Sequence, residues 1–189
     1  SRYEQKSSEI AGSPQLVKAD EIRAAGVRNL GEALALFGVV HLRNDGISTR
    51  FGVRGFLRTG DFNARILLLL DARRINEMAY DGAYLGKEGP IDVSLIDRLE
   101  FIPGPGSSVY GSNAFFGVIN IITEAPSFTP GYSAEFTAGN YGSLGAAGSI
   151  TGPINDQVAM RLYAARRVRD GFYNVDTGDG PRTETDDAN

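Results

Sequence analysis

Between Ser133 and Ala165 the side chains change character at every second position. Ala134, Phe136 and Ala138 stand against Ser133, Glu135 and Thr137, and Val158, Met160, Leu162 and Ala164 stand against Ala159, Arg161, Tyr163 and Ala165. A period of two puts successive side chains on opposite faces of an extended chain and is incompatible with a helix. The stretches between, Asn140-Tyr141-Gly142-Ser143 and Gly152-Pro153-Ile154-Asn155-Asp156, carry turn chemistry. The chain after Pro126 therefore reads as an antiparallel meander with one apolar face. Such a sheet suits one layer of a soluble sandwich or the wall of a membrane barrel with lipid outside and water inside. Periodicity does not separate the two, and the soluble sheet is the commoner case.

Before Pro126 the pattern is mixed. Gln15 to Val17 reads as extended, Asp20 as an N-cap, Ile22 as an inward residue and Gly26 as the end of that turn. Asn29 opens a second helix with Leu30, Ala33, Leu34 and Phe37 on one face, closed by Gly38. "VVHL", a turn at Asn44-Asp45-Gly46, and "RFGVRGF" then read as extended. Ile66 to Leu70, apolar without alternation, suits a strand covered on both faces. In "PIDVSLIDRLEFI", Val93, Ile96, Leu99 and Ile102 fit a short helix passing into a strand. The 189 residues suit one domain, or one domain and part of another.

Composition removes several function classes. Nineteen Lys and Arg against 23 Asp and Glu give a formal charge of −4 with no long like-charge run, which argues against nucleic acid as a partner. With no Cys and only His41, disulfides, thiolate sites and histidine metal clusters are excluded. No apolar stretch approaches the roughly 18 residues of a spanning helix, and no signal peptide opens the chain. Gly106 and Gly111 satisfy half of a phosphate-binding loop, but Ser112 and Asn113 stand where a Lys must reach the phosphates, and "GVINIIT" follows as a strand. No G-x-S-x-G elbow occurs, and Asp92 and Asp97 read as solvated carboxylates. No catalytic residue and no cofactor or metal site emerges.

Three segments in order, "FGVRGF", "RILLLLDARRIN" and "DVSLIDRLEFIPGPGSSVYGSNAFFGVINIIT", resemble the plug domain of TonB-dependent outer-membrane receptors over about residues 10 to 126. The following "YSAEFTAGNYGSLGAAGSITGPINDQVAMRLYAARRVRDGFY" is similar to the first strands of their barrel. The resemblance implies an α+β chain: a plug over 1–126 with a small mixed sheet and short helices, then over 127–189 the first antiparallel strands of an incomplete transmembrane β-barrel. In such a plug the glycines serve close backbone approach and positive φ, with Tyr110, Phe115 and Phe116 as anchors of the turn.

The same resemblance implies a transporter that imports a scarce nutrient, a siderophore–iron complex or cobalamin, and not an enzyme. It sets the protein in the outer membrane of a Gram-negative bacterium with the plug inside the barrel lumen. The implied partners are TonB, the rest of the barrel and a small-molecule substrate. A TonB-binding segment belongs ahead of the plug, and nothing before Glu9 resembles one. The outer loops "RNDGI", "LRTGDFN" and "NEMAYDGAYLGKEG" are the expected substrate contacts, through Asn44, Arg58, Asp61, Asn63, Tyr80 and Tyr84. Arg54 and Arg98 are expected at the plug–barrel contact. The chain departs from the family in two places. Pro103 replaces an Arg before Gly104-Pro105, and Asp71-Ala72 replaces Asp-Gly, which puts a type I′ turn there in doubt. A soluble α/β module that binds a partner protein is the alternative reading.

Overall fold

A computed structural model of the chain describes residues 14–44, 49–53, 62–86, 89–139, 142–176 and 181–188. The chain divides into two compact units, Ser1–Glu124 and Ala125–Asn189.

The first unit is built on a five-stranded mixed sheet. Its strands are β1 (Gln15–Lys18), β4 (Ile66–Leu70), β5 (Arg73–Arg74), β6 (Ile96–Pro103) and β7 (Gly117–Thr123), in the order β1-β6-β7-β4-β5. Only β4 and β7 run parallel. A separate hairpin pairs β2 (Val40–Asn44) with β3 (Thr49–Val53). The helices are short: α1 (Ala19–Ala24), α2 (Leu30–Leu34) and the single turn α3 (Ser107–Tyr110).

The period of two sorts the strand residues. Leu99 and Phe101, Ile119 and Ile121, and Ile66 and Leu68 join the large core, where Ile22 of α1, Leu30, Ala33 and Leu34 of α2, and Phe37 cover the sheet. Phe101 is central there, with its ring centroid 5.6 Å from Phe37 and 5.8 Å from Phe51. On the opposite face Leu67, Ile102 and Val118 form a smaller core closed by Tyr110 and Ala114. The apolar run of β4 is thus buried on both faces over Ile66 to Leu68, and each such side chain contributes roughly 1.5–3 kcal/mol by leaving water.

Local details correct the expectations at several points. Lys18, not Asp20, is the N-cap of α1; Asp20 sits in the first turn, and the Glu21 carboxylate accepts from Lys18 N–H (2.8 Å). Asn29 caps α2 as expected, accepting from Glu32 N–H at 3.0 Å. Val93–Leu95 form one 3-10 turn that leads into β6, and Asp92 caps it through Ser94 N–H and Oγ. The Asp92 carboxylate is therefore committed and half-buried, not solvated.

The glycine-rich segment holds the helical turn α3 before the strand. Gly111 has φ +84°, and a Cβ on Gly104 would lie 2.6 Å from Phe115 O and 3.0 Å from Gly117 N, so the backbone passes too close for a side chain. Of the three expected anchors, Tyr110 and Phe116 pack against the cores, while Phe115 stands 56% exposed with the Arg65 guanidinium 5.6 Å from its ring centroid.

The doubtful turn does form. Asp71 (φ +46°) and Ala72 (φ +64°) both occupy the left-handed region between Leu70 and Arg73, as a type I′ turn requires. Hydrogen bonds hold it: Asp71 N donates to Ile121 O (2.8 Å), Ala72 N to Asn120 Oδ1 (3.2 Å), and Thr123 N and Oγ1 to the Asp71 carboxylate (2.9 and 2.8 Å).

The second unit is the expected meander, β8 (Gly131–Ala138), β9 (Leu144–Asn155), β10 (Val158–Asp176) and β11 (Pro181–Ala188), paired antiparallel in chain order. Register places Tyr132 beside Ile150 and Ile150 beside Leu162, so the apolar residues share one face, and each of the three is more than half exposed.

Candidate functional site

Strand ends decide where loops gather in the first unit. Gly117 pairs with Ile66 in β4 and with Pro103 in β6, so the segments 62–65, 75–85 and 104–116 emerge at one end of the sheet. They are tied together there. Ala83 N donates to Phe62 O (3.0 Å), Phe116 N to Arg65 O (2.9 Å), and Asn113 Nδ2 to Ala64 O (2.6 Å).

Two buried asparagines fix these loops in the same manner. Among the described residues the edge of β3 away from β2 has no neighbouring strand; Asn63 supplies one peptide-like group there, accepting from Phe51 N (2.8 Å) and donating to Thr49 O (2.9 Å). β5 covers only Leu69 and Leu70 of β4, and Asn76 supplies the next pairing, accepting from Leu68 N (2.9 Å) and donating to Ile66 O (2.9 Å). Each amide also donates to the loop that follows Asn76, Asn63 to Ala83 O (3.0 Å) and Asn76 to Asp81 O (3.0 Å). A carboxamide offers the same donor and acceptor as a peptide unit, so it can end a sheet edge without another strand. Asn63, at φ +59°, also adopts a conformation that Asn tolerates better than most residues.

The loop so held carries exposed apolar side chains. Met78 is 97% exposed and Tyr80 72%, and the Tyr80 ring lies 6.0 Å from that of Phe62, itself more than half exposed. Tyr84 is also exposed. Hydrogen bonds close the loop at its tip: the Glu77 carboxylate accepts from Ala79 N (2.6 Å) and Tyr80 N (2.8 Å), while Glu77 N donates to Gly82 O (2.8 Å). Those bonds, that from Ala79 foremost, hold the Glu77 carboxyl below its usual range. Arg74 pairs with Asp81 at the base of the loop and donates to Ser112 Oγ (3.2 Å). Aromatic faces and a thioether presented on a fixed loop can grip an apolar or planar ligand, and the arrangement offers no nucleophile and base in hydrogen-bond contact.

Of the expected substrate contacts, Tyr80 and Tyr84 lie on this tip. Asn63 does not face outward: it is 7% exposed and its side chain is occupied by the frame. Arg54, Arg58 and Asp61, and the side chain of Asn44, lie outside the described residues. Phe62 and Met78 belong to the tip and escape the sequence reading. Met78 carried a usable signal, since it is apolar in "NEMAYDG", a segment without the period that would bury it.

A polar cluster stands along β6 and β7. The Glu100 carboxylate accepts from Arg98 Nε (3.0 Å) and Asn120 Nδ2 (3.0 Å), and Arg98 also pairs with Asp97 (2.9 Å). Burial alone would lower the Arg98 guanidinium, but hydrogen bonds and charge from Asp97 and Glu100 outweigh it and hold its pKa above the ordinary value.

Comparison with known proteins places these features in a family. The TonB-dependent Receptor Plug Domain model matches residues 6–118. The vitamin B12 transporter BtuB of Vibrio vulnificus is 28% identical over 174 residues, covering 90% of this chain and 27% of that protein. Among solved structures, the ferric yersiniabactin uptake receptor FyuA of Yersinia pestis superposes with a TM-score of 0.76 at 22% identity, covering 96% of this chain and 28% of the receptor. The pyoverdine outer membrane receptor FpvA of Pseudomonas aeruginosa gives 0.71 at 18% identity, covering 88% and 23%. The chain thus spans about a quarter of the length of the relatives it matches.

Proposed function

The chain belongs to the TonB-dependent receptor plug-domain family, and from that premise we propose that it is the plug and opening barrel strands of an outer-membrane active transporter. The plug is residues 1–126 and the barrel begins at 127. The substrate is a scarce small molecule, a siderophore–iron complex or cobalamin, in keeping with the vitamin B12 and ferric-chelate uptake named for the relatives. The family consists of transporters and not enzymes. Energy comes from TonB. In this reading the plug occupies the barrel lumen and Arg98 is a contact to its wall; Arg54, the other expected contact, lies outside the described residues.

The observation that carries the substrate assignment is the aromatic tip, Phe62, Met78, Tyr80 and Tyr84, standing in solvent on a loop pinned from below. Exposed rings on a loop whose backbone is held by hydrogen bonds lose less entropy on binding than rings on an unheld one. The exposed apolar row of the second unit weighs against the soluble-module alternative, because Leu144, Ile150 and Leu162 would all face water.

The test is binding of cyanocobalamin and of ferric siderophores to the complete receptor with Met78→Ala, Tyr80→Ala and Tyr84→Ala. Loss of an aromatic contact worth roughly 0.5–1.5 kcal/mol lowers affinity about two- to twelvefold in the two Tyr variants, and Met78→Ala lowers it in the same direction. Unchanged affinity in all three variants refutes the assignment.

A further inference from the structure

The apolar face of the second unit carries one charged residue among its described side chains. Cross-strand register builds this face in rows: Tyr132, Ile150 and Leu162; Ala134, Gly148 and Ala164; Phe136, Ala146 and Arg166; Ala138, Leu144 and Val168. Glu135, Arg161 and Arg167 alternate onto the opposite face. Arg166 is exposed, and no hydrogen bond or ion pair engages it among the described residues. It borders a shallow hollow of about 440 Å³ lined by Phe136, Ala138, Leu144, Ala146 and Val168.

The height of Arg166 in the sheet explains how such a charge is tolerated. At the opposite end of β9 the apolar row begins at Ile154, 61% exposed, beside the turn at Asn155. Ala146, the register partner of Arg166, is eight residues away from it along β9. At about 3.4 Å per residue that is roughly 27 Å along the strand. A strand tilt of 35–45° reduces it to about 20 Å of height, against an apolar band about 25 Å tall. Arg166 therefore stands near the far border of the band, where a long side chain can extend its guanidinium to the headgroup layer while its methylenes lie against Phe136 and Val168.

We propose that Arg166 and the hollow beside it form a binding site for an anionic lipid, the guanidinium taking the headgroup phosphate and the apolar lining taking the first part of an acyl chain. The forked donors of Arg suit the oxygens of a phosphate, and among the described side chains of its face no carboxylate competes for them; Asp187, the register partner of Val168, shares that face, and its side chain lies outside the described ones. This rests on the reading of residues 127–189 as barrel wall.

The experiment uses the complete receptor in phosphatidylcholine vesicles containing a minor fraction of phosphatidylglycerol, with either lipid brominated on its acyl chain. Phe136→Trp reports the lipid beside Arg166, after subtraction of the quenching seen in the receptor without that substitution. Brominated phosphatidylglycerol is expected to quench this residue at least threefold more per mole than brominated phosphatidylcholine. The preference is expected to survive Arg166→Lys and to vanish in Arg166→Gln. Equal quenching by both lipids overturns the site while leaving the barrel reading intact. Quenching by neither overturns both. A preference that persists in Arg166→Gln assigns it to other residues, and one erased by added inorganic phosphate assigns the guanidinium to free anions; either result refutes the proposal.

Discussion

Asn63 separates framework from ligand contact, and its replacement gives the sharpest test of how the tip is held. In Asn63→Ala, Phe51 N–H and the carbonyls of Thr49 and Ala83 lose their partner together in a buried place. A buried donor left unsatisfied costs about 1–3 kcal/mol. The two carbonyls add less, since an acceptor is easier to leave under-satisfied than a donor. Ala at φ +59° adds roughly 1–2 kcal/mol of backbone strain. The expected loss is therefore about 3–5 kcal/mol. Asn63→Gly loses the same hydrogen bonds but escapes the strain. It should be the milder variant by about 0.5–1 kcal/mol once the larger entropy of the unfolded Gly chain is set against it. Urea unfolding of the 189-residue chain, followed by circular dichroism and by tyrosine fluorescence, reads both values. Binding by the complete receptor, at a temperature where the variant remains folded, reads the other side. A loss below about 1 kcal/mol in Asn63→Ala together with abolished ligand binding would refute the framework role and return Asn63 to the substrate.

Ala72→Gly should stabilise the first unit by about 0.5–1 kcal/mol, because φ +64° strains Ala and not Gly; a lower urea midpoint for the variant would count against the turn described. Gly104→Ala should destabilise by at least about 1–3 kcal/mol, since its Cβ would meet backbone atoms at 2.6 and 3.0 Å; wild-type stability would contradict that close approach. For Glu77 the folded pKa lies below the unfolded one. The order it confers is therefore full above the unfolded value and is lost as pH falls through the folded value. Amide exchange at Ala79 and Tyr80, corrected for its intrinsic pH dependence, should lose protection on acidification. Glu77→Gln should remove that pH dependence, and the same acid response in the variant would place its source elsewhere.

The pattern of the strands was legible because burial enforces it. Ile66 to Leu68 lie between two cores, Leu99 and Phe101 face one core and Ile102 the other, and the period of two past Pro126 is the alternation of the meander. Asn29 as a cap and Gly26 as a stop were legible for the same reason, since each meets a local backbone demand. What escaped is set by partners distant in sequence. Asp71-Ala72 looked unfit for a type I′ turn because the bonds that hold it come from Asn120, Ile121 and Thr123, about fifty residues away. Asn63 looked like a loop contact because its role depends on strand edges at 49–51 and on a carbonyl at 83. Asp20 lost the cap to Lys18 because the Glu21 carboxylate bonds back to the Lys18 N–H, a choice that composition alone leaves open.

The two asparagines also explain why this end of the sheet can display irregular loops with fixed side chains. A binding tip made of loops needs its backbone polar groups satisfied without a regular ladder, and its aromatic groups directed away from the core that would otherwise absorb them. Asn63 and Asn76 meet the first need at two strand edges with one side chain each, and their third hydrogen bonds reach Ala83 O and Asp81 O, on the chain between Tyr80 and Tyr84. Asn113 adds a contact to the same Asp81 O at 3.3 Å, so the glycine-rich segment is coupled to the tip as well. Glu77 meets the second need by closing the turn on Ala79 and Tyr80. Any displacement of Tyr80 would therefore strain the bonds to Glu77 and, through Asp81, those of Asn76 and Asn113. The hydrogen bonds of Asn76 continue from the tip to Leu68 N and Ile66 O of β4, residues that sit between the two cores. Together these bonds supply a continuous bonded route from the exposed rings to the centre of the sheet.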